Sequence, residues 1–279
     1  MTILNYWIEE TDRVWIKVPS IPENGSITIS VKKTGDYSPD GDETFILFDD
    51  FPGSSLDTDK WEFIRGSGDS VSGGILTLYR TTISTKDLSF GRDTAVVVKH
   101  RIINNATYRH TRVGYNAYRD DLPDNAVFYA KYMGSTNRFR TRLDGGDATN
   151  EDGWSSSSTA NFNVVDIHRY SSDKAYIKEL GTDNDATITT EIPTIDMPIG
   201  LSARAGTVSS TYTEAEFDYV FVRKVVEDEP SISVTDQTTH YDVTINNTGG
   251  DELTDYQISV DASDLGTLAN DESLEVERL

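Results

Sequence analysis

Three arginines at alternate positions, Arg138, Arg140 and Arg142, are the strongest chemical signal in this sequence. Residues two apart on a β-strand share a face, so the alternation with Phe139, Thr141 and Leu143 puts three guanidiniums on one side. A guanidinium is a planar fork of N–H donors that matches carboxylate or sulfate in bidentate fashion. The same charge extends upstream. From Lys99 to Arg142 there are nine basic residues (Lys99, Arg101, Arg109, Arg112, Arg119, Lys131, Arg138, Arg140, Arg142) against three acidic ones (Asp120, Asp121, Asp124). That is +6 locally in a chain of net charge −22. Arg112 belongs to a neighbouring strand, and Tyr108, His110, Tyr115, Tyr118, Tyr129 and Tyr132 fall on the same group of strands. Aromatic rings stack on the apolar faces of sugars. The expected chemistry is a grip on an anionic glycan. The plainer alternative is a solvated face whose arginines pair with the chain's own carboxylates. Trp154, in the polar stretch 151–158, is a candidate sugar platform unless it folds back onto the protein.

Carboxylates offer a second chemistry. Glu214, Glu216 and Asp218 alternate on one strand, which spaces neighbours ~6.7 Å apart at ~3.3 Å per residue. A retaining glycosidase needs two carboxyls ~5–5.5 Å apart with separated pKa values. These three sit near the end of the all-β stretch and read as a surface stripe. A polysaccharide lyase needs a Tyr or His base beside a neutralising Arg, and His110, Tyr115 or Tyr118 with Arg112 could be drawn that way. There is no Gly-x-Ser-x-Gly elbow and no phosphate loop. Asp36-Tyr37-Ser38-Pro39-Asp40-Gly41-Asp42 matches the first half of a calcium loop, but Leu47 stands where the bidentate Glu belongs. Four scattered histidines and no cysteine argue against zinc, thiol chemistry and disulfides.

The elements that would carry these residues are strands. Apolar–polar alternation recurs at 75–79, 95–103, 109–117, 126–133, 137–143, 162–169, 174–178, 186–190, 200–205 and 216–223, separated by Gly/Asp/Asn turns. Short strands at this spacing predict an all-β sandwich. Its first and last strands are expected around Phe48-Asp49-Asp50-Phe51 and Phe217-Asp218-Tyr219-Val220-Phe221. Two flanks stand apart, with strands at 4–9, 13–18 and 26–33, and at 231–235, 241–246, 255–261 and 273–277. Glu227-Asp228-Glu229-Pro230 reads as a linker. Three or four strands are too few for an independent sandwich, whereas seven suit an immunoglobulin-like one. The expected organisation is therefore a discontinuous module, 1–44 with 229–279, around a large domain at 45–228. Joined between chains instead, the same halves would give head-to-tail self-association. Trp7, Trp15 and Trp61 are expected in the cores.

At 279 residues the chain has room for both parts. Its acidity argues against nucleic acid and anionic membrane surfaces as partners, and no run approaches the ~18 apolar residues of a membrane span. Met1 runs directly into strand-like sequence, as in an excised piece of a longer protein, so a missing leader says little about location.

Tyr6-Trp7-Ile8-Glu9, Val14-Trp15-Ile16-Lys17-Val18-Pro19-Ser20-Ile21-Pro22, and the Asp40-Gly41-Asp42 turn running into Phe48-Asp49-Asp50-Phe51 resemble domain of unknown function 2341, a module of archaeal and some bacterial surface proteins. The stretch 49–223 resembles the concanavalin-like lectin/glucanase jelly roll that follows such modules. Thr244-Ile245-Asn246-Asn247-Thr248-Gly249-Gly250 resembles how the small module begins, although here it comes last. The resemblance implies an extracellular or cell-surface location and a structural calcium with Asp50 and Asp218 as ligands. Three acceptor sequons, at Asn24, Asn105 and Asn246, agree with that location. The reading is a non-catalytic, lectin-like binding or adhesion module for polysaccharide or a cell-surface glycan. Its alternatives are a polysaccharide-degrading enzyme on the same jelly roll and a structural repeat of a surface fibre. The candidate ligand-binding residues are Arg112, Tyr118, Arg138, Arg140, Arg142 and Trp154.

Overall fold

The computed structural model describes residues 2–9, 13–33, 37–103, 109–117, 124–132, 137–150, 161–205, 213–237, 239–266, 268 and 273–279. The chain forms two units, Met1–Phe48 with Arg223–Leu279, and Asp49–Val222.

In the first unit the two chain ends build one sandwich. One sheet runs in the order Thr2–Ile3, Leu274–Arg278, Ser26–Lys33, His240–Asn246, Ser231–Gln237; the other is Tyr6–Glu9, Arg13–Ile21, Leu253–Asp261. N-terminal strands pair with C-terminal ones in both sheets: Val31 lies opposite Tyr241 on one side and Val276 on the other, and Ile16 lies opposite Ile258. Alternation sends Tyr6, Ile8, Val14, Ile16 and Val18 inward to meet Ile29, Val243, Ile245 and Leu274 in a shared core. The Tyr6 hydroxyl donates to the Tyr37 carbonyl at 2.6 Å and accepts from Leu274 N–H at 2.7 Å, tying both ends to one side chain.

Trp7 and Trp15 pair across neighbouring strands on the side of their sheet away from that cluster, where Trp15 is buried as expected and Trp7 is not fully covered. Trp7 is half-buried and packs edge-on against Phe45 and Phe48, with centroids at 5.8 and 5.0 Å. Arg13 and Arg223 sit over the Trp15 ring at 5.7 and 5.3 Å. The Glu227–Pro230 stretch is likewise pinned: Glu229 accepts from Arg223 at 3.0 Å and from the Tyr256 hydroxyl at 2.5 Å. Asp40 caps the short helix Gly41–Thr44 through Glu43 N–H at 3.0 Å. A Cβ on Gly41 would lie 2.4 Å from the Phe48 ring. Gly41→Ala is therefore expected to lower the unit's melting temperature, by displacing a ring held between Trp7 and Phe45; an unchanged melting curve would refute it.

The second unit is a two-sheet jelly roll. One sheet follows the order Asp185–Ile188, Lys174–Glu179, Asn163–Tyr170, Thr94–Ile102, Glu214–Lys224, Ile75–Tyr79, Asp69–Ser72. The other follows Gly146–Asn150, Arg138–Leu143, Ala126–Tyr132, Arg109–Tyr115, Ile199–Ala205, Thr81–Thr85, Trp61–Arg65. Val96, Val98, Val165, Ile167, Leu76 and Phe217 meet Val113, Val127, Phe139, Leu201 and Ile83, all fully buried or nearly so. Arg80, at φ 56°, stands between two strands, so Ile75–Tyr79 enters one sheet and Thr81–Thr85 the other. Buried Asp49 closes the opening turn, accepting from Phe51 N–H at 2.8 Å and from the Trp61 indole at 2.6 Å. Burial pushes the Asp49 carboxyl up, against the lowering effect of the Trp61 hydrogen bond.

Candidate functional site

Antiparallel register fixes which residues share the face of the second sheet turned away from the core. Arg138 lies opposite Ala130, which lies opposite Arg112, which lies opposite Ser202. The next row is Arg140, Phe128, Gly114, Gly200, and Arg142 stands opposite Ala126. The structure thus gathers Arg112, Arg138, Arg140 and Arg142 on one face, with their partner Phe139 buried on the other. At ~3.3 Å per residue neighbours among the three arginines of Arg138–Leu143 are spaced ~6.7 Å, and Arg112 stands two strands, ~9.6 Å, from Arg138.

The floor of this face is small and close-packed. Ala117, Ala126, Phe128 and Ala130 form an apolar cluster, and the Arg112 guanidinium lies 5.1 Å from the Phe128 ring centre. A Cβ on Gly200 would meet the Ala117 backbone nitrogen at 2.9 Å, so only glycine lets that segment lie on the strand. Thr82 and Ser202 share a hydrogen bond at 2.8 Å. Arg112 is buried, whereas Arg138, Arg140 and Arg142 are partly exposed. Arg142 reaches the Gly145 carbonyl at 3.3 Å.

Several expected participants lie elsewhere. Tyr115 and Tyr129 are fully buried on the core face, so neither can stack on a sugar. Tyr115 is three residues from Arg112 and therefore on the opposite side of the strand, which removes it as the base of a Tyr–Arg lyase pair. It hydrogen-bonds Thr94 at 3.0 Å and lies 4.8 Å beneath the Arg169 guanidinium. Lys99 and Arg101 belong to the other sheet. Lys99 pairs with Asp218 at 2.7 Å, Arg101 pairs with Glu216, and both cations lie over Phe162. Tyr118 and Trp154 lie outside the described residues, as do Tyr108, Arg119 and the side chains of Arg109, His110 and Tyr132.

On the described strands of the arginine face, carboxylate positions occur only at the two margins. Glu62 lies in register with Ser84 on one edge, and Asp147 lies opposite Arg142 on the other. Six strand steps of ~4.8 Å separate those edge strands by ~29 Å. A glycosidase pair needs ~5–9.5 Å. Glu214, Glu216 and Asp218 belong to the opposite sheet, and the last two are held in ion pairs. A cation at Asp218 would have to displace Lys99; Asp50 is exposed just beyond Leu47–Asp49. Among the described residues no three His, Asp or Glu side chains converge as a metal cage, and no helix is long and apolar enough to cross a membrane.

The domain of unknown function DUF2341 matches residues 1–64. No curated protein matches the chain in sequence. Among solved structures, a β-1,3-1,4-glucanase (lichenase) from a mouse hindgut metagenome is similar over 64% of this chain and 99% of its own, with 14% identity and a TM-score of 0.51. A β-1,3-glucanase from Mycobacterium marinum covers 64% of this chain and 98% of its own, with 11% identity and a TM-score of 0.50. A structure of endo-acting O-glycanases from human gut microbiota covers 65% of this chain and all of its own, with 12% identity and a TM-score of 0.51. The large unit has the glucanase jelly-roll fold. At these identities the likeness establishes the fold and nothing of the chemistry.

Proposed function

We propose that this chain is a non-catalytic binding module of the cell exterior that takes anionic polysaccharide on the face carrying Arg112, Arg138, Arg140 and Arg142. The observation that carries the reading is the convergence of four guanidiniums on one sheet face of a chain whose net charge is −22. Guanidiniums ~6.7 Å apart along one strand suit the repeating carboxylates or sulfates of an extended glycan. The wide separation of carboxylate positions on the described strands of that face favours binding over hydrolysis. The fold supports the ligand class, since the glucanases and O-glycanases it resembles act on glycans by name.

The test is retention on immobilised uronic or sulfated polysaccharide against a neutral β-glucan. Replacing Arg140 and Arg142 together by Ala should weaken binding at least tenfold, at ~1.5–3 kcal/mol per charge-assisted contact, with the melting curve little changed. Retention should also fall with added salt, because exposed charge is screened over ~10 Å at 0.1 M. Undiminished binding by the double variant, or release of sugar products by the unaltered protein, would refute the reading.

A further inference from the structure

The interior of the jelly roll holds a charged group that the arginine face does not use. Lys131 follows Val127 and Tyr129 at alternate positions, and that parity carries it into the core, where it is fully buried. A buried ammonium is costly unless it is matched by specific partners. Here Lys131 Nζ reaches across the sandwich to the amide oxygen of Asn163, and Asn163 Nδ2 donates to Glu179. Glu179 is 1% exposed, and Asn184 Nδ2 holds its other oxygen at 2.9 Å. Around the three lie Tyr129, edge-on to His100, and Phe217, stacked on His100.

We infer that Lys131 and Asn163 are the two halves of an intramolecular isopeptide bond, with Glu179 as its proton carrier. The three reacting groups are already in contact, in the order amine, carboxamide, carboxyl. In the step, the Lys131 Nζ lone pair forms a bond to Asn163 Cγ. Glu179 takes the proton shed by Nζ and delivers it to Nδ2. The Cγ–Nδ2 bond breaks, and ammonia leaves. Amine plus primary amide becomes secondary amide plus ammonia, with no oxidant, cofactor or second substrate consumed. A lysine that starts protonated gives ammonium instead.

The surroundings favour each part of that step. Burial pulls the Lys131 amine down to about 8, against the opposing pull of Glu179, so a substantial fraction is neutral and nucleophilic near neutral pH. Holding both groups in one packed site replaces an encounter with an effective concentration of ~10⁵–10⁸ M. Lys131 and Glu179 are buried and Asn163 is half-buried, which limits the water that could compete by hydrolysis. The product would join the strand Ala126–Tyr132 of one sheet to Asn163–Tyr170 of the other. Such a bond holds the sandwich closed where a chain without cysteine has no disulfide to do so.

Intact-mass measurement of the full chain decides the matter. The unaltered protein should weigh less than its sequence by one ammonia, and a protease digest should yield a branched peptide joining Lys131 to Asn163. Glu179→Gln and Lys131→Met should each keep the full mass of their own sequences. Full sequence mass in the unaltered protein, even after prolonged incubation in the folded state, would overturn the inference whether or not the variants fold. So would an ammonia loss that maps to Asn24-Gly25, where succinimide formation releases the same mass. A branched peptide formed as completely in Glu179→Gln would overturn the assignment of Glu179.

Discussion

His100→Phe is expected to abolish a large part of the acid sensitivity of the jelly roll between pH 6.5 and pH 3. His100 is fully buried, stacked on Phe217 with centroids 6.1 Å apart and planes at 18°. Burial, the leading cause, lowers its imidazole from 6.5 to about 3. The sign follows from proton counting: between those values the unfolded chain holds a proton that the folded one does not. The stability tied to His100 is complete above pH 6.5 and is lost as pH falls toward 3. At 1.36 kcal/mol per pKa unit the loss approaches about 4–5 kcal/mol. Phenylalanine fills the same stacked site without a titrating group. Carboxylates titrate alike in both proteins, so urea unfolding at pH 7, 5 and 4 should show the variant gaining on the unaltered protein as pH drops. A difference between the two that stays constant with pH would refute the assignment.

Arg169→Met should be the most damaging single change on the far side of the same core. The Arg169 guanidinium is fully buried and donates to the carbonyls of Phe90 at 2.9 Å, Pro193 at 3.1 Å and Ile195 at 2.8 Å. It thereby fixes the segments around residues 90 and 193–195 to the strand Asn163–Tyr170. Burial lowers its pKa, opposed first by Tyr115 and then by Asp196, and the three carbonyls and the Tyr115 ring face the guanidinium directly. Methionine fills part of the volume but strands three acceptors, at a cost of about 3–5 kcal/mol. For a unit of this size that is a fall of roughly 10 °C in melting temperature. A fall of less than about 2 °C would show that water or rearranged backbone satisfies the carbonyls just as well.

Both residues look ordinary in sequence. Arg169 shares its parity with buried Val165 and Ile167, but its charge masks that inward phase in the sequence. The same blindness affected Lys131, Lys99 and Arg101. One stretch of sequence groups them with Arg138, Arg140 and Arg142 as a single basic patch, yet they lie in the interior, on the opposite sheet and on the arginine face respectively. Charge clustering along a chain becomes clustering in space only when neighbouring strands also share a sheet. Parity gave part of the answer: Val127, Tyr129 and Lys131 share a side, as do Arg138, Arg140 and Arg142. It also separates Arg112 from Tyr115, which the proposed lyase pair overlooked. The Lys131–Asn163–Glu179 contact had no such signal, because the partners are 32 and 16 residues apart on three strands and meet only across the sandwich.

Alternation and turn chemistry, both local properties, were enough to establish an all-β chain, to locate most strands and to mark Arg138, Arg140 and Arg142 as sharing a face. Counting strands in the flanks against the minimum for a sandwich pointed to one small module shared by both chain ends over two separate appendages, and in the structure Ile16 lies opposite Ile258. Tertiary structure alone decided which side of each strand is inside. It also sent the strands either side of Arg80 to different sheets and placed Trp7 and Trp15 on the side of their sheet away from the shared core. The physical reason is that a strand has two faces of equal standing until another layer covers one. Which face is covered depends on pairings between distant segments, and no period within either segment encodes them.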